Sequence, residues 1–123
     1  MTIYDLLNKY EIKNKKIGKD KNVNIFCVGK LNVLFWINEG KSFKMKREWF
    51  EILSNNCDQY ALLLFDKKGK KYYYIKFRNK NNWISGSFNN CDKNELFLGK
   101  QILNYPSTIA QVITDIQLSL IHI

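Results

Sequence analysis

A chain of 123 residues that is 46% hydrophobic and 15% aromatic can bury one modest core, so we expect a single domain. Its 20 lysine and arginine residues against 11 aspartate and glutamate residues give a net charge of +9, which attracts polyanions and indicates a nucleic-acid partner. A lysine-rich composition inherited from an A/T-rich genome explains the same charge without any partner, and charge by itself does not separate the two explanations.

The cysteine pattern and the hydropathy exclude several classes of protein. Cys27, Cys57 and Cys91 are far apart, and none has a second cysteine or a histidine at metal-ligand spacing. This argues against a zinc site or a disulfide framework and favours a reducing, intracellular compartment. No apolar run approaches the roughly 20 residues that cross a bilayer, so we expect a soluble protein. The expected compartment is the cytoplasm, and this includes the cytoplasm of an infected host cell.

The first half of the chain begins with a helix signal. Thr2 and Asp5 have the spacing of a capping box, which predicts a short first helix. Residues 11–22 are lysine-rich and lack periodicity, which predicts a solvated loop or a basic arm. Residues 23–28 and 31–37 then predict two strands around a tight turn, and the second strand is apolar on both faces, as in the centre of a sheet.

The second half predicts a helix, a hairpin and a final helix. An amphipathic stripe over residues 45–53 predicts the central helix. Residues 60–65 and 71–77 are rich in strand formers and predict a second hairpin. After the sole proline, Thr108 and Gln111 have capping-box spacing before a helical stripe.

Several aromatic residues are candidates either for the core or for base stacking. In the consecutive tyrosines 72–74, strand alternation places Tyr73 on the face opposite the other two. They either cover the sheet or stack on bases from the exposed side. We expect Trp36 and Trp49 in the core and Trp83 exposed in a polar loop.

The end of the chain calls for a separate interpretation. Residues 118–123 read like the in-frame translation of a sequencing-library adapter, and we expect this tail not to be native. The alternative is an ordinary apolar tail that finishes a helix. On the first interpretation the only histidine, His122, has no functional role, and the natural product continues past Gln117. The predicted domain then spans residues 1–117 and is truncated at its C-terminus.

The order of hairpin, helix and hairpin carries an acid-x-lysine motif, Glu39-Gly40-Lys41, at the exit of the first hairpin. With residues 24–28 and 32–50, this order resembles the core of the PD-(D/E)xK nucleases, and most of all the small Holliday-junction resolvases and related endonucleases of archaea and phages. The resemblance covers less than half the chain. It implies an α/β fold of the restriction-endonuclease-like kind, with a mixed sheet from two hairpins around a central helix, and flanking helices.

The resemblance also assigns residues to a metal-dependent cleavage of a phosphodiester, with Mg²⁺ or Mn²⁺ as cofactor. It makes Glu39 a catalytic metal ligand and Lys41 the catalytic lysine that positions the attacking water. The family's aspartate falls on Asn24, which keeps an oxygen ligand but loses a negative charge. Asp20 replaces it if the strand begins earlier. Glu11 is the candidate for the acid that the first helix often supplies.

A second alignment register leaves no catalytic site. In that register the family's acid and lysine fall on Leu34 and Trp36. In either register Asn24 indicates impaired or lost catalysis. The alternative without a function is a solvated ion pair between Glu39 and Lys41, worth at most about 1 kcal/mol.

Two groups of cations are candidate phosphate contacts, one around the start of the central helix and one at the tip of the second hairpin. They are Lys44, Lys46 and Arg47, and Lys68, Lys70 and Lys71.

The leading hypothesis is a nucleic-acid-binding, nuclease-like protein with DNA as the expected partner. It is either a Mg²⁺-dependent endodeoxyribonuclease such as a junction resolvase or an impaired relative, and the resemblance implies a homodimer. The competing hypothesis is a non-catalytic nucleic-acid-binding or protein-interaction module of viral or other A/T-rich origin.

Overall fold

The computed structural model describes residues 2–39, 43–89, 94–102 and 104–121, and these form an α/β fold. The helices are α1 Ile3–Lys9, α2 Arg47–Leu53, α3 Trp83–Asn89, α4 Gly99–Ile102 and α5 Ile109–Ile121. The strands are β1 Lys15–Asp20, β2 Val23–Val28, β3 Leu31–Asn38, β4 Lys44–Lys46, β5 Gln59–Asp66, β6 Lys71–Arg78, β7 Glu95–Phe97 and β8 Pro106–Ser107.

Within these residues the main sheet has six strands in the order β1-β2-β3-β5-β6-β8. The neighbours β3 and β5 are parallel, and every other pair is antiparallel, so the sheet is mixed. The chain reaches β5 from β3 through β4 and α2, and β4 pairs with β7 in a separate two-stranded ribbon. The predicted hairpin, helix, hairpin order is therefore present, and β3 is central and buried from Leu31 to Trp36, as predicted.

The two faces of the sheet carry two separate cores. Strand alternation sends Leu34 and Trp36 to a cluster with α2 and α3, which we call the α2 face. It sends Val33 and Phe35 to a cluster with α1 and α5, which we call the α5 face. The prediction for Tyr73 is confirmed, because it is buried on the α2 face whereas its two tyrosine neighbours pack on the α5 face.

Both predicted capping boxes are present. The amide of Asp5 donates to the hydroxyl oxygen of Thr2 at 3.1 Å, and the amide of Thr2 donates back to the Asp5 carboxylate at 2.9 Å. Thr108 and Gln111 make the same reciprocal pair at 2.9 and 3.1 Å. These bonds satisfy backbone N–H groups that helix starts leave without partners, so α1 and α5 begin where the sequence predicts.

Three predicted elements were wrong in detail. The predicted loop over residues 11–22 contains β1, an edge strand whose exposed lysines hide the alternation of a strand. The central helix begins at Arg47, because residues 44–46 pair with β7 instead. Trp83 is the first residue of α3 and packs edge-on against Phe77, with the two ring centroids 5.8 Å apart. It is therefore half-buried rather than exposed in a loop.

Side-chain amides tie the loop after α2 to the sheet. The Nδ2 of buried Asn32 donates to the carbonyl oxygens of Leu53 and Asn55, both at 2.9 Å. The Nδ2 of Asn79 donates to the carbonyl oxygen of Cys57 at 3.0 Å. These carbonyls lie at and beyond the end of α2, where helical partners are missing, so the asparagines complete the helix end.

The buried phenol of Tyr60 gives the fold a dependence on alkaline pH. Burial raises the pKa of Tyr60 to about 12, whereas tyrosine in an unfolded chain titrates near about 10. The folded state therefore holds this proton more tightly. The stability that comes from this tighter proton binding is complete below about pH 10 and is lost as the pH rises from about 10 towards about 12. Urea midpoints measured between pH 8 and 11.5 should fall less in Tyr60→Phe than in the wild type, and equal falls would contradict this prediction.

Candidate nucleic-acid interface

Three segments meet at one end of the main sheet, where the parallel strands β3 and β5 finish. The amide of Ile37 donates to the carbonyl oxygen of Asn22 in the β1–β2 turn at 3.1 Å. The amide of Lys67 in the β5–β6 turn donates to the carbonyl oxygen of Asn38 at 2.8 Å. Both turns are thus held beside the exit from β3, at the carboxyl ends of strands where open α/β sheets hold their ligands. We call residues 20–22, 38–39 and 66–71 the turn edge.

A buried aspartate shapes the β5–β6 turn. Asp66 is only 2% exposed, and its Oδ1 accepts the backbone N–H groups of Lys68 at 3.0 Å and Gly69 at 3.1 Å. This is the aspartate turn that an Asx side chain forms with the residues after it. A Cβ at Gly69 would lie 2.7 Å from the Asp66 carboxylate, so a larger residue there would displace that side chain from its position in the turn. The turn is fixed from inside, and its lysines are left to face solvent.

The turn edge is rich in exposed cations. It holds five exposed lysines against three acids, and one of those acids is the buried Asp66. The β1–β2 and β5–β6 turns are three strand spacings apart, which is about 14 Å. The five are Lys21, Lys67, Lys68, Lys70 and Lys71. Like charges held this close favour a polyanion that neutralises several of them together.

Glu39 is exposed and directly follows β3 at the centre of the turn edge. Lys41, the catalytic lysine of the resemblance, lies outside the described residues. The predicted pairing of these two residues in one site therefore stays a prediction. Glu11, the candidate acid from the first helix, is exposed just beyond the end of α1.

Asn24 lies far from Glu39 along the sheet. It pairs with Phe35, four residues before Glu39, and strand geometry makes this separation about 13 Å. By alternation the Asn24 side chain shares the α5 face with Phe26. The structure therefore does not bring together the residues that the resemblance assigns to one metal ion.

Asp20 has partners of its own on the α2 face. Its Oδ2 accepts a hydrogen bond from the indole Nε1 of Trp49 at 2.9 Å and an ion pair from the Nζ of Lys46 at 3.4 Å. The Trp49 hydrogen bond, together with the charge of Lys46, holds the pKa of Asp20 below its usual value. A carboxylate placed in this way orients Trp49 and the start of α2.

Divalent metals such as Mg²⁺ take about six oxygen ligands at roughly 2.0–2.1 Å, and some of these must come from converging carboxylates. In the described part of the chain, no group of three or more histidine, cysteine, aspartate or glutamate residues could hold a metal ion. Asp20, the alternative to Asn24, already has two partners. The described residues therefore offer no ready-made cluster of carboxylates for Mg²⁺ or Mn²⁺.

The first predicted group of phosphate contacts does not form a free basic patch. Lys46 pairs with Asp20, and Arg47 donates to the carbonyl oxygen of Phe88 at 3.0 Å and lies over its ring. Lys44 alone of the three is exposed. A cavity of about 470 Å³ beside Lys46 and Arg47 is lined by Glu48, Glu51 and Glu95. These acids would repel a phosphate backbone, which leaves the turn edge as the better candidate.

Sequence reasoning found most of the turn edge but missed Lys21. Residues 68, 70 and 71 were predicted as contacts because they lie at the tip of the hairpin, and the structure adds Lys21 from the other turn. The prediction of a loop over residues 11–22 concealed this second turn. The available signal for this turn was Asp20-Lys21-Asn22 directly before an apolar strand, because aspartate and asparagine are common in turns.

The described chain adds two further facts. Cys27 and Cys57 are free thiols. Of the helices within the described residues, none combines the length and the apolar character needed to cross a bilayer.

Comparisons with protein-family models, with curated proteins and with solved structures returned no match.

Proposed function

We propose that the chain is a nucleic-acid-binding domain of the restriction-endonuclease-like kind that holds a phosphate backbone, most simply that of DNA, at its turn edge. The observation that carries the proposal is the hydrogen bond between the Lys67 amide and the Asn38 carbonyl. It brings the lysine-rich turn beside the exit from β3, where the resemblance to the nucleases also places its site.

The electrostatics support binding through phosphates. Exposed lysines at the turn edge are solvated point charges, and each one that contacts a phosphate releases a counterion from the nucleic acid. Binding should therefore weaken steeply with salt and depend little on base sequence. Since Asp66 fixes the backbone of one turn, those lysines lose little freedom of the main chain on binding.

The proposal is for binding and does not include cleavage. The order of elements supports the nuclease-like fold, and Glu39 lies at the matching position, but the described residues contain no group of three or more metal-binding side chains. The cleavage that the resemblance implies also needs Lys41, which lies outside the described residues. A homodimer remains an implication of the resemblance alone.

The test is a pair of variants that remove the same charge from opposite edges of the sheet. Lys68→Gln/Lys71→Gln removes two cations from the turn edge, and Lys30→Gln/Arg78→Gln removes two exposed cations from the other edge. Fluorescence anisotropy with a labelled four-way DNA junction and a matched duplex gives the affinity at several salt concentrations. We expect the first variant to bind about tenfold more weakly, with a salt slope smaller by about 1.8, and the second to bind like the wild type.

Two results would contradict the proposal. Equal losses in both variants would mean that total charge, and not the turn edge, attracts the nucleic acid. Absence of binding at low salt would leave the positive charge as composition alone. The same samples incubated with Mg²⁺ or Mn²⁺ report cleavage. Metal-dependent cleavage that is lost in Glu39→Ala would show that the site is catalytic and that the protein cleaves nucleic acid as well as binding it.

A further inference from the structure

A second cavity lies at the opposite edge of the sheet, where β3 and β5 begin and β6 ends. Its volume is about 870 Å³, within the range of small-molecule sites in proteins. Its wall includes Lys30 from the β2–β3 turn, Gln59 from β5, Lys76 and Arg78 from β6, and Asp115 from α5. Side chains from four separate elements thus converge on one space that the turn edge does not share.

One of these cations is held in place by the fold. The Nζ of Lys76 donates to the Oδ1 of Asp115 at 3.1 Å and to the Oγ of Ser119 at 3.4 Å. The other carboxylate oxygen of Asp115 accepts the hydroxyl of Tyr74 at 2.5 Å. An ammonium has three N–H donors, so a fixed Lys76 keeps one donor for a ligand. Asp115 acts here as a positioning residue for Lys76.

Two further cations of the cavity are available. Lys30 and Arg78 are exposed, and in the described part of the chain neither forms an ion pair. With Lys76 they give three positive charges against Asp58 and Asp115, and Lys76 already offsets Asp115. The planar fork of an arginine beside two ammonium groups suits the oxygens of a phosphate.

The cavity also has an apolar wall. Leu118 lies on it and is 49% exposed, so its apolar side chain is accessible from the cavity. The volume exceeds what a phosphate group alone would fill. A ligand with a phosphate at one end and an apolar body at the other would meet both parts of the lining.

We infer that this cavity binds a small phosphate monoester, with Lys30, Lys76 and Arg78 on the phosphate and Leu118 against the apolar body. This inference is independent of the turn edge. The three cations and Asp115 precede residue 118, so the phosphate half of the site depends on the last six residues only through the Ser119 hydroxyl, which accepts a hydrogen bond from Lys76. The apolar half does depend on them.

Phenyl phosphate is a suitable probe because it carries no base or sugar that would mimic nucleic acid. Titrations of the isotope-labelled full chain, followed by amide chemical shifts, compare phenyl phosphate with phenol and with inorganic phosphate. We expect shifts in residues 30–31, 58–59 and 76–78 with phenyl phosphate, weaker ones with inorganic phosphate and none with phenol. Lys30→Gln/Arg78→Gln should raise the Kd for phenyl phosphate at least tenfold.

The turn-edge variant is the matched control. Lys68→Gln/Lys71→Gln should keep the wild-type Kd for phenyl phosphate while it weakens nucleic-acid binding, and the cavity variant should do the reverse. Shifts that map to the turn edge, equal binding of phenol, or equal loss in both variants would each overturn the inference. Absence of nucleic-acid binding by the wild-type chain, with phenyl phosphate still bound at the cavity, would count against the proposed function alone.

Discussion

Replacement of Asn32 by leucine should lower the free energy of unfolding by about 3 kcal/mol, although the change makes an apolar strand more apolar. The Asn32 amide donates to the carbonyl oxygens of Leu53 and Asn55, and leucine would leave both without this partner. Each buried group that loses its partner costs about 1–3 kcal/mol, which outweighs the gain from a slightly more apolar side chain. Urea unfolding followed by circular dichroism measures the loss.

The same substitution at Asn24 is the matched control. Asn24 is a half-buried strand asparagine for which the structure shows no side-chain hydrogen bond in the described residues. Asn24→Leu should therefore change the stability by less than about 0.5 kcal/mol in either direction. Similar losses at both positions would show that the cost arises from leucine in a strand, and not from the carbonyls beyond α2.

Replacement of Asn82 by alanine should cost about 2–3 kcal/mol of stability. Asn82 directly precedes α3, and its Oδ1 accepts both the hydroxyl of buried Tyr60 at 2.7 Å and the amide of Ser85 at 2.9 Å. Its Nδ2 also donates to the carbonyl oxygen of Arg78 at 2.8 Å. Alanine removes a helix cap, worth about 1 kcal/mol, and leaves a buried phenol without an acceptor.

Tyr60→Phe separates the two contributions. This variant removes the hydroxyl group instead of orphaning it, so the expected loss at neutral pH is about 1 kcal/mol. The double variant Tyr60→Phe with Asn82→Ala should be less destabilised than the sum of the two single variants, because both remove the same hydrogen bond. Additive losses, measured by urea unfolding, would mean that the Tyr60 hydroxyl does not depend on Asn82.

The sequence indicated the local elements wherever one physical signal dominated. The apolar run of β3 predicted its central place, because only a strand covered on both faces buries every residue. The capping pairs Thr2 with Asp5 and Thr108 with Gln111 predicted two helix starts, since each joins residues three apart. The edge strand β1 escaped prediction because exposed lysines carry no alternation.

The candidate site depended far more on long-range geometry. From the sequence, Glu39 was joined in one metal site with Asn24, or with Asp20 in its place, but strand register places Asn24 about 13 Å from Glu39 and Asp20 against Trp49. Lys46 and Arg47 were predicted as free cations, and the fold provides partners for both. Which side chains are free depends on contacts between residues far apart in the chain, and a local pattern does not contain that information.

The sequence by itself determined the positive charge, the apolar central strand, the hairpin, helix, hairpin order and the lysine-rich turn. Each of these depends on composition or on neighbours within a few residues. The tertiary structure alone decided that the two turns flank the exit from β3, that Asp66 fixes one of them from inside, and that Lys30, Lys76 and Arg78 share a cavity. These facts follow from sheet order and register, which cooperative packing of distant strands establishes.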